Sequence, residues 1–169
     1  MNANAIAPSQ AVLSLNVNGE RTQVGADLHD TLLTVLRDRM QLTAAKRGCN
    51  QGVCGACTIS VDGVPMRACL SLAHNCEDAE VLTLEGLQEN PRMRALQLAF
   101  ARTGAFQCGF CTPGMLVSAQ ALLERNPQPD EQAVRLALSG NLCRCTGYVK
   151  IVQAVQGAAR ALAHEGDGQ

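Results

Sequence analysis

Cys49-Asn50-Gln51-Gly52-Val53-Cys54-Gly55-Ala56-Cys57 carries three thiols at C-x4-C-x2-C spacing, with Gly48, Gly52 and Gly55 around them. Thiols this closely spaced, with glycines between them, describe a loop that wraps an anionic inorganic group. Glycine lets the backbone turn its N–H groups inward, where they solvate sulfurs bearing negative charge. Cys69 lies beyond an Asp62-Gly63 turn and can fold back as a fourth ligand. The quartet Cys49, Cys54, Cys57, Cys69 therefore reads as the ligand set of a 2Fe-2S cluster. Structural zinc also accepts four cysteines. Zinc ribbons, however, usually pair two C-x2-C knuckles about 15–20 residues apart, and here the next such pair does not come until Cys108 and Cys111.

Strand patterns flank this loop. Val12 to Val17 alternates apolar with polar residues, Asn18-Gly19 supplies a tight turn, and Glu20 to Val24 returns as the second arm of a hairpin. Thr58 to Val61, the Asp62-Gly63 turn and Val64 to Leu70 form a second hairpin, and Val81 to Leu84 a closing strand. Between the hairpins, Asp30 to Met40 places apolar residues at helical spacing behind an acidic cap. Strands around one helix predict an α+β domain over residues 12–85. The C-x4-C-x2-C run is that of plant-type ferredoxins, whose last cysteine lies farther on. This loop is similar without being identical.

After Gly86 the period becomes helical. Helices are predicted over Arg92–Arg102, Pro113–Glu124, Asp130–Leu138 and Val149–Leu162, a four-helix bundle over residues 86–162. The ends, 1–11 and 163–169, read as flexible tails. In this half Cys108-Gly109-Phe110-Cys111 precedes Thr112-Pro113, and Cys143-Arg144-Cys145 precedes Thr146-Gly147. Both pairs are expected at helix starts, where free N–H groups and the positive dipole end favour an anionic cluster. Cys108, Cys111, Cys143 and Cys145 thus form a second candidate quartet. Eight of the nine cysteines fall into these two sets. Cys76 stands outside both and reads as a small apolar residue.

Composition narrows the rest. Four aromatics, no tryptophan and a net charge of −1 argue against base-stacking platforms and basic stripes, so no nucleic acid partner is expected. No run approaches the ~18 apolar residues that cross a bilayer, and MNANAIAPSQAV lacks the marks of an export signal. A cytoplasmic protein is expected, matured where thiols stay reduced, with export beside a signal-bearing partner as the other route. His29, His74 and His164 do not follow cysteines at a Rieske-like spacing. Arg37, Arg39, Lys46 and Arg47 near the first quartet could dock an acidic partner, though a solvated face is the plainer reading. No Walker loop, G-x-G-x-x-G or nucleophile elbow occurs, so no catalytic residue is expected on this chain.

Three segments together carry a resemblance. Gly48-Cys49, Gly52 and Cys54-Gly55-Ala56-Cys57-Thr58, then Gln107-Cys108-Gly109-Phe110-Cys111-Thr112-Pro113-Gly114, then Gly140-Asn141-Leu142-Cys143-Arg144-Cys145-Thr146-Gly147-Tyr148 are similar to the small iron–sulfur subunit of the molybdenum hydroxylases. That family includes xanthine dehydrogenases, aldehyde oxidoreductases and nicotinate dehydrogenases. The match runs in order over roughly residues 12–162, with no ligand missing.

The resemblance implies a plant-ferredoxin-like β-grasp domain followed by a four-helix-bundle domain, each with a 2Fe-2S cluster. It implies molybdopterin on a large partner subunit and FAD on a medium subunit, or haem on a cytochrome partner. The chain would relay electrons from molybdenum through the second cluster and then the first, in an enzyme that hydroxylates aldehydes or N-heterocycles. By position, Gln107 would hydrogen-bond the pterin and Cys145 would be both cluster ligand and pterin neighbour. An amide donates and accepts, which suits a pterin edge; without the resemblance Gln107 reads as a backbone brace. The competing readings are a free-standing two-cluster ferredoxin or redox sensor, and a zinc module.

Overall fold

The computed structural model describes residues 10–166. Strand β1 (Gln10–Val17) pairs antiparallel with β2 (Glu20–Asp27). Asn18 and Gly19 between them both have positive φ, as a two-residue hairpin loop requires. Strands β3 (Thr58–Val61) and β4 (Val64–Arg67) form the second hairpin around Asp62-Gly63, and β5 (Glu80–Leu82) closes a five-stranded sheet of order β2-β1-β5-β3-β4. The β1–β5 pair is parallel; every other pair is antiparallel. Helices α2 (Pro91–Thr103), α3 (Thr112–Arg125), α4 (Glu131–Ala137) and α5 (Val149–Gly166) follow. The chain is α+β, a β-grasp unit continued by four helices.

Several expectations change at their edges. β1 begins at Gln10, so Gln10 and Ala11 belong to a strand, paired with Asp27 and Ala26, and not to a frayed end; residues 1–9 lie outside the described part. Helix α5 continues to Gly166, so 163–166 are helical; 167–169 lie outside it. The helix expected over Asp30–Met40 is regular only over α1 (Leu32–Thr34). Val35–Arg39 then widens into a π-type turn, with Met40 N–H donating to Val35 O at 3.1 Å. Thr31 caps α1, its hydroxyl accepting from Thr34 N at 3.2 Å. Asp30, the expected cap, instead accepts from Asp27 N. β4 stops at Arg67, three residues early, because Ala68–Leu70 must turn to present Cys69.

Two apolar cores form. Leu13, Leu15 and Val17 from β1, Ile59 and Val61 from β3, Val81 from β5 and the fully buried Leu32, Leu33, Val35 and Leu36 make the first. Met93, Leu96 and Phe100 of α2, Met115, Ala119 and Leu123 of α3, Val134 of α4 and Ile151, Val155 and Ala158 of α5 make the second. The Val, Leu, Ile, Met and Phe side chains among these each contribute roughly 1.5–3 kcal/mol on burial.

β3 joins the two halves. Its period of two sends Ile59 and Val61 into the first core and Thr58 and Ser60 to the opposite face. That face is not solvated: all four residues are buried, since α3 packs across it. α3 is accordingly buried nearly all round, Ser118 and Gln120 included. Two polar faces meet there, and hydrogen bonds must satisfy them.

Candidate metal centres

The first loop is shaped by close approach. Gly55 has φ +70°, and a Cβ there would meet the Gly140 carbonyl and, at 2.8 Å, Asn141 Nδ2. At Gly48 a Cβ would stand 2.8 Å from Cys54 Sγ and 3.5 Å from the ring of Phe110, which reaches across from the second quartet. Cys49 Sγ accepts from the N–H groups of Gln51 (3.4 Å) and Cys54 (3.3 Å). The Cys54 and Gln51 amides bring its thiol pKa down to about 6. Cys69 is delivered by α1, whose free first-turn amides bond the segment around it. Leu33 N–H donates to Ala68 O at 3.0 Å and Leu32 N–H to Ser71 O at 2.7 Å.

The second site departs from its expected helix starts. Cys111 itself occupies the cap position of α3, with Thr112 the first helical residue. Cys143 and Cys145 lie a few residues before α5, separated from it by Gly147 and Tyr148, both at positive φ. Thr146 serves the sulfur directly: its hydroxyl (3.1 Å) and amide (3.4 Å) donate to Cys143 Sγ. Burial pushes the Cys143 thiol up, but the Thr146 hydroxyl and amide outweigh it and its pKa is lowered. At Cys111 the balance is reversed: burial and then Cys143 outweigh a backbone amide and push it up to about 12. Burial and the neighbouring Cys69 likewise raise Cys57 to about 11.

Each quartet resolves into two interacting thiol pairs. The Cys49 thiol interacts with that of Cys54, and the Cys57 thiol with that of Cys69. The Cys111 thiol interacts with that of Cys143, and Cys108 Sγ lies 3.8 Å from Cys145 Sγ. A single tetrahedral metal with four thiolates would set every S–S edge at about 3.8 Å, given bonds of about 2.3 Å. Among the described residues no three cysteine sulfurs lie within 4.8 Å of one another. Two pairs held apart are instead what a binuclear cluster needs, each metal taking two thiolates. The donor sets fit 2Fe-2S and do not fit mononuclear zinc.

The two sites also touch. Leu142 N–H donates to Cys54 O at 2.8 Å, so one peptide hydrogen bond links a residue beside Cys143 to a cysteine of the first quartet. Asn141, 2% exposed, donates from Nδ2 to Gly55 O (3.0 Å) and Thr58 Oγ1 (3.2 Å), and its Oδ1 accepts from Ser118 Oγ (2.9 Å). Arg67 donates to Thr58 Oγ1 (2.8 Å) and Gly140 O (2.5 Å).

These arrangements are matched by known proteins. Residues 83–156 match the family described as [2Fe-2S] binding domain, and residues 14–103 the 2Fe-2S iron-sulfur cluster binding domain. The nicotine 6-hydroxylase small subunit of Paenarthrobacter nicotinovorans is 50% identical, over 88% of this chain and 90% of that one. The nicotinate dehydrogenase small FeS subunit of Eubacterium barkeri is 43% identical, over 92% and 99%. This chain belongs to the small 2Fe-2S subunits of the molybdenum hydroxylases. The crystal structure of quinoline 2-oxidoreductase from Pseudomonas putida 86 superimposes with a TM-score of 0.86 at 44% identity, over 92% of this chain and 98% of that one.

In this small subunit Cys57 and Cys69 are buried, Cys108 and Cys145 exposed, and the other four lie between. Gln107 is exposed and donates from Nε2 to Cys145 O at 3.0 Å, the brace geometry. Phe106, Leu142 and Val149 are exposed apolar residues of this same half. Cys76 belongs to the first core and points its thiol at Leu72 O, 3.6 Å away. Arg37 and Lys46 donate to the Thr43 carbonyl, Arg37 also to Ala45 O, and Arg47 pairs with Asp38 at 3.1 Å. Sequence reasoning did not single out Asn141, Leu142 or Tyr148 beyond their inclusion in the quoted Gly140–Tyr148 segment, read Thr146 only as a helix-start residue, and had no signal for Arg67, which lies in the second hairpin. No helix among the described residues is long and apolar enough to cross a membrane.

Proposed function

We propose that this chain is the electron-relay subunit of a heteromeric molybdenum hydroxylase. Electrons enter from a molybdopterin centre on a large partner at the exposed Cys108–Cys145 edge and leave near Cys49 and Cys54 for FAD or haem on another partner. The observation that carries this reading is the pair of four-cysteine sites, each divided into two thiol pairs and joined by the Leu142–Cys54 hydrogen bond. Cys49, Cys54, Cys57 and Cys69 would hold one 2Fe-2S cluster and Cys108, Cys111, Cys143 and Cys145 the other. The clusters would supply one-electron steps; the protein supplies position, shielding and hydrogen bonds to sulfur.

The residues divide that labour. Amides of Gln51 and Cys54 and the Thr146 hydroxyl stabilise thiolate charge. Burial of Cys57 and Cys69 keeps water from one side of the first site. Gln107, exposed beside Cys145, retains an N–H and its oxygen for a pterin edge while bracing the Cys145 carbonyl. Relatives named for nicotinate and nicotine support an N-heterocycle as the substrate of the whole enzyme, and an aldehyde oxidoreductase subunit among them supports an aldehyde. Assembly in the cytoplasm goes with this reading, since thiolates that take up iron must be reduced.

Native purification tests it. About four iron and four acid-labile sulfides per chain, as two 2Fe-2S clusters require, should accompany the small subunit together with a molybdopterin-bearing polypeptide. A chain that purifies alone with its iron would be a free-standing ferredoxin and refute the subunit reading; zinc without sulfide would refute both.

A further inference from the structure

Tyr148 is the chain's single tyrosine, and it sits at φ +69° directly after Gly147 at +65°. A bulky L-residue rarely holds that conformation unless its surroundings compensate. Here the compensation lies at the far end of the ring. Tyr148 Oη accepts from Cys143 N at 2.8 Å and donates to Asn141 O at 3.2 Å, while the ring packs against the helical core. Between those two gripped positions stands Leu142, whose N–H crosses to Cys54 O. One hydroxyl therefore clamps the backbone on both sides of the amide that bridges the two sites. Asn141 anchors the upstream half of the segment through its side chain. Downstream, the amide of Cys143 has Tyr148 alone as its partner among the described residues.

We propose that Tyr148 is a positioning residue for electron transfer, holding Asn141-Leu142-Cys143 in register with Cys54 so that the hydrogen-bonded bridge between the two clusters stays closed. The left-handed turn at Gly147-Tyr148 is what carries the ring back over the loop. The hydroxyl also takes up the Cys143 N–H, which would otherwise be free to turn toward a neighbouring sulfur and change the potential there. The proposal rests on the relay reading above, since without two clusters there is no bridge to hold.

The test is Tyr148→Phe in the purified complex, which keeps the ring and removes only the hydroxyl. With two hydrogen bonds of ordinary strength lost, exchange of the Leu142 and Cys143 amides, read by mass spectrometry, should accelerate about tenfold. Iron and sulfide should be unchanged, and the magnetic interaction between the two reduced clusters, read by electron paramagnetic resonance, should weaken. Unchanged exchange with an unchanged interaction overturns the proposal. Loss of iron also overturns it, because Tyr148 would then be a structural residue. Should the variant not accumulate, the wild-type complex decides: slow exchange at Leu142 and Cys143, matching that of Asn141, supports the clamp, and fast exchange refutes it. Failure of the relay reading looks different, since the wild type would then lack the two 2Fe-2S signals.

Discussion

Asn141→Ala should loosen the joint between the two halves, by an amount the hydrogen bonds define. Asn141 is buried and makes three of them. Two acceptors keep other donors after truncation. Gly55 O still receives Thr58 N and Thr58 Oγ1, and Thr58 Oγ1 still receives Arg67. Those two bonds cost about 1 kcal/mol each. The Ser118 hydroxyl, itself buried, donates to Asn141 Oδ1 alone among the described residues and is left unsatisfied, at about 1–3 kcal/mol. The sum is about 3–5 kcal/mol, or a fall of about 10 °C in melting temperature for a chain of 169 residues. Calorimetric scans at one rate and equal iron content measure it. Ser118→Ala completes a cycle: the double variant should cost little more than Asn141→Ala alone, giving a coupling of about 1–2 kcal/mol. A fall of under about 3 °C, or simple additivity, would refute the assignment of Asn141 as the shared polar centre.

Gly55→Ala should block loading of the first site, because φ +70° costs an alanine about 1–2 kcal/mol and its Cβ meets the Gly140 carbonyl. Iron should fall by about half; full iron content would count against the close approach. In the cluster-free chain at pH 7, iodoacetamide should modify Cys49 ahead of Cys57 and Cys111, since only Cys49, at about 6, is ionised there. Its pKa lies below the ordinary 9.0, so the stabilisation from its two amides is full above 9.0 and is lost as pH falls through about 6. Equal labelling of the three at pH 7 would contradict that environment. Gln107→Ala should keep both clusters but release pterin or slow turnover of the assembled enzyme, and unchanged cofactor content with unchanged turnover would leave Gln107 as a brace only.

Much of the fold is readable in short-range chemistry. Asn18-Gly19 and Asp62-Gly63 announce hairpins because two successive positive φ angles suit few other dipeptides. Asn90-Pro91 and Gly104 bracket α2 by the usual start and stop signals. The differences share a cause. Thr58 and Ser60 alternate with Ile59 and Val61, a pattern that carries no sign of α3 covering their face. Asp30 looks like a helix cap and Val35–Arg39 like a continued helix, but the segment is drawn toward the loops it supports. Local pattern cannot register a partner brought from far along the chain.

The amino-acid sequence by itself grouped eight cysteines into two candidate quartets and marked the change from strand to helix period near residue 86, because those signals rest on residue type and spacing along the chain. Tertiary structure alone decided that each quartet splits into two thiol pairs, that Cys108 and Cys145 face outward while Cys57 and Cys69 are sealed, and that Leu142 meets Cys54. Those outcomes depend on contacts such as Asn141 to Gly55, separated by 86 residues. Such a bond exists only once the two cores have formed and their polar faces have been brought together.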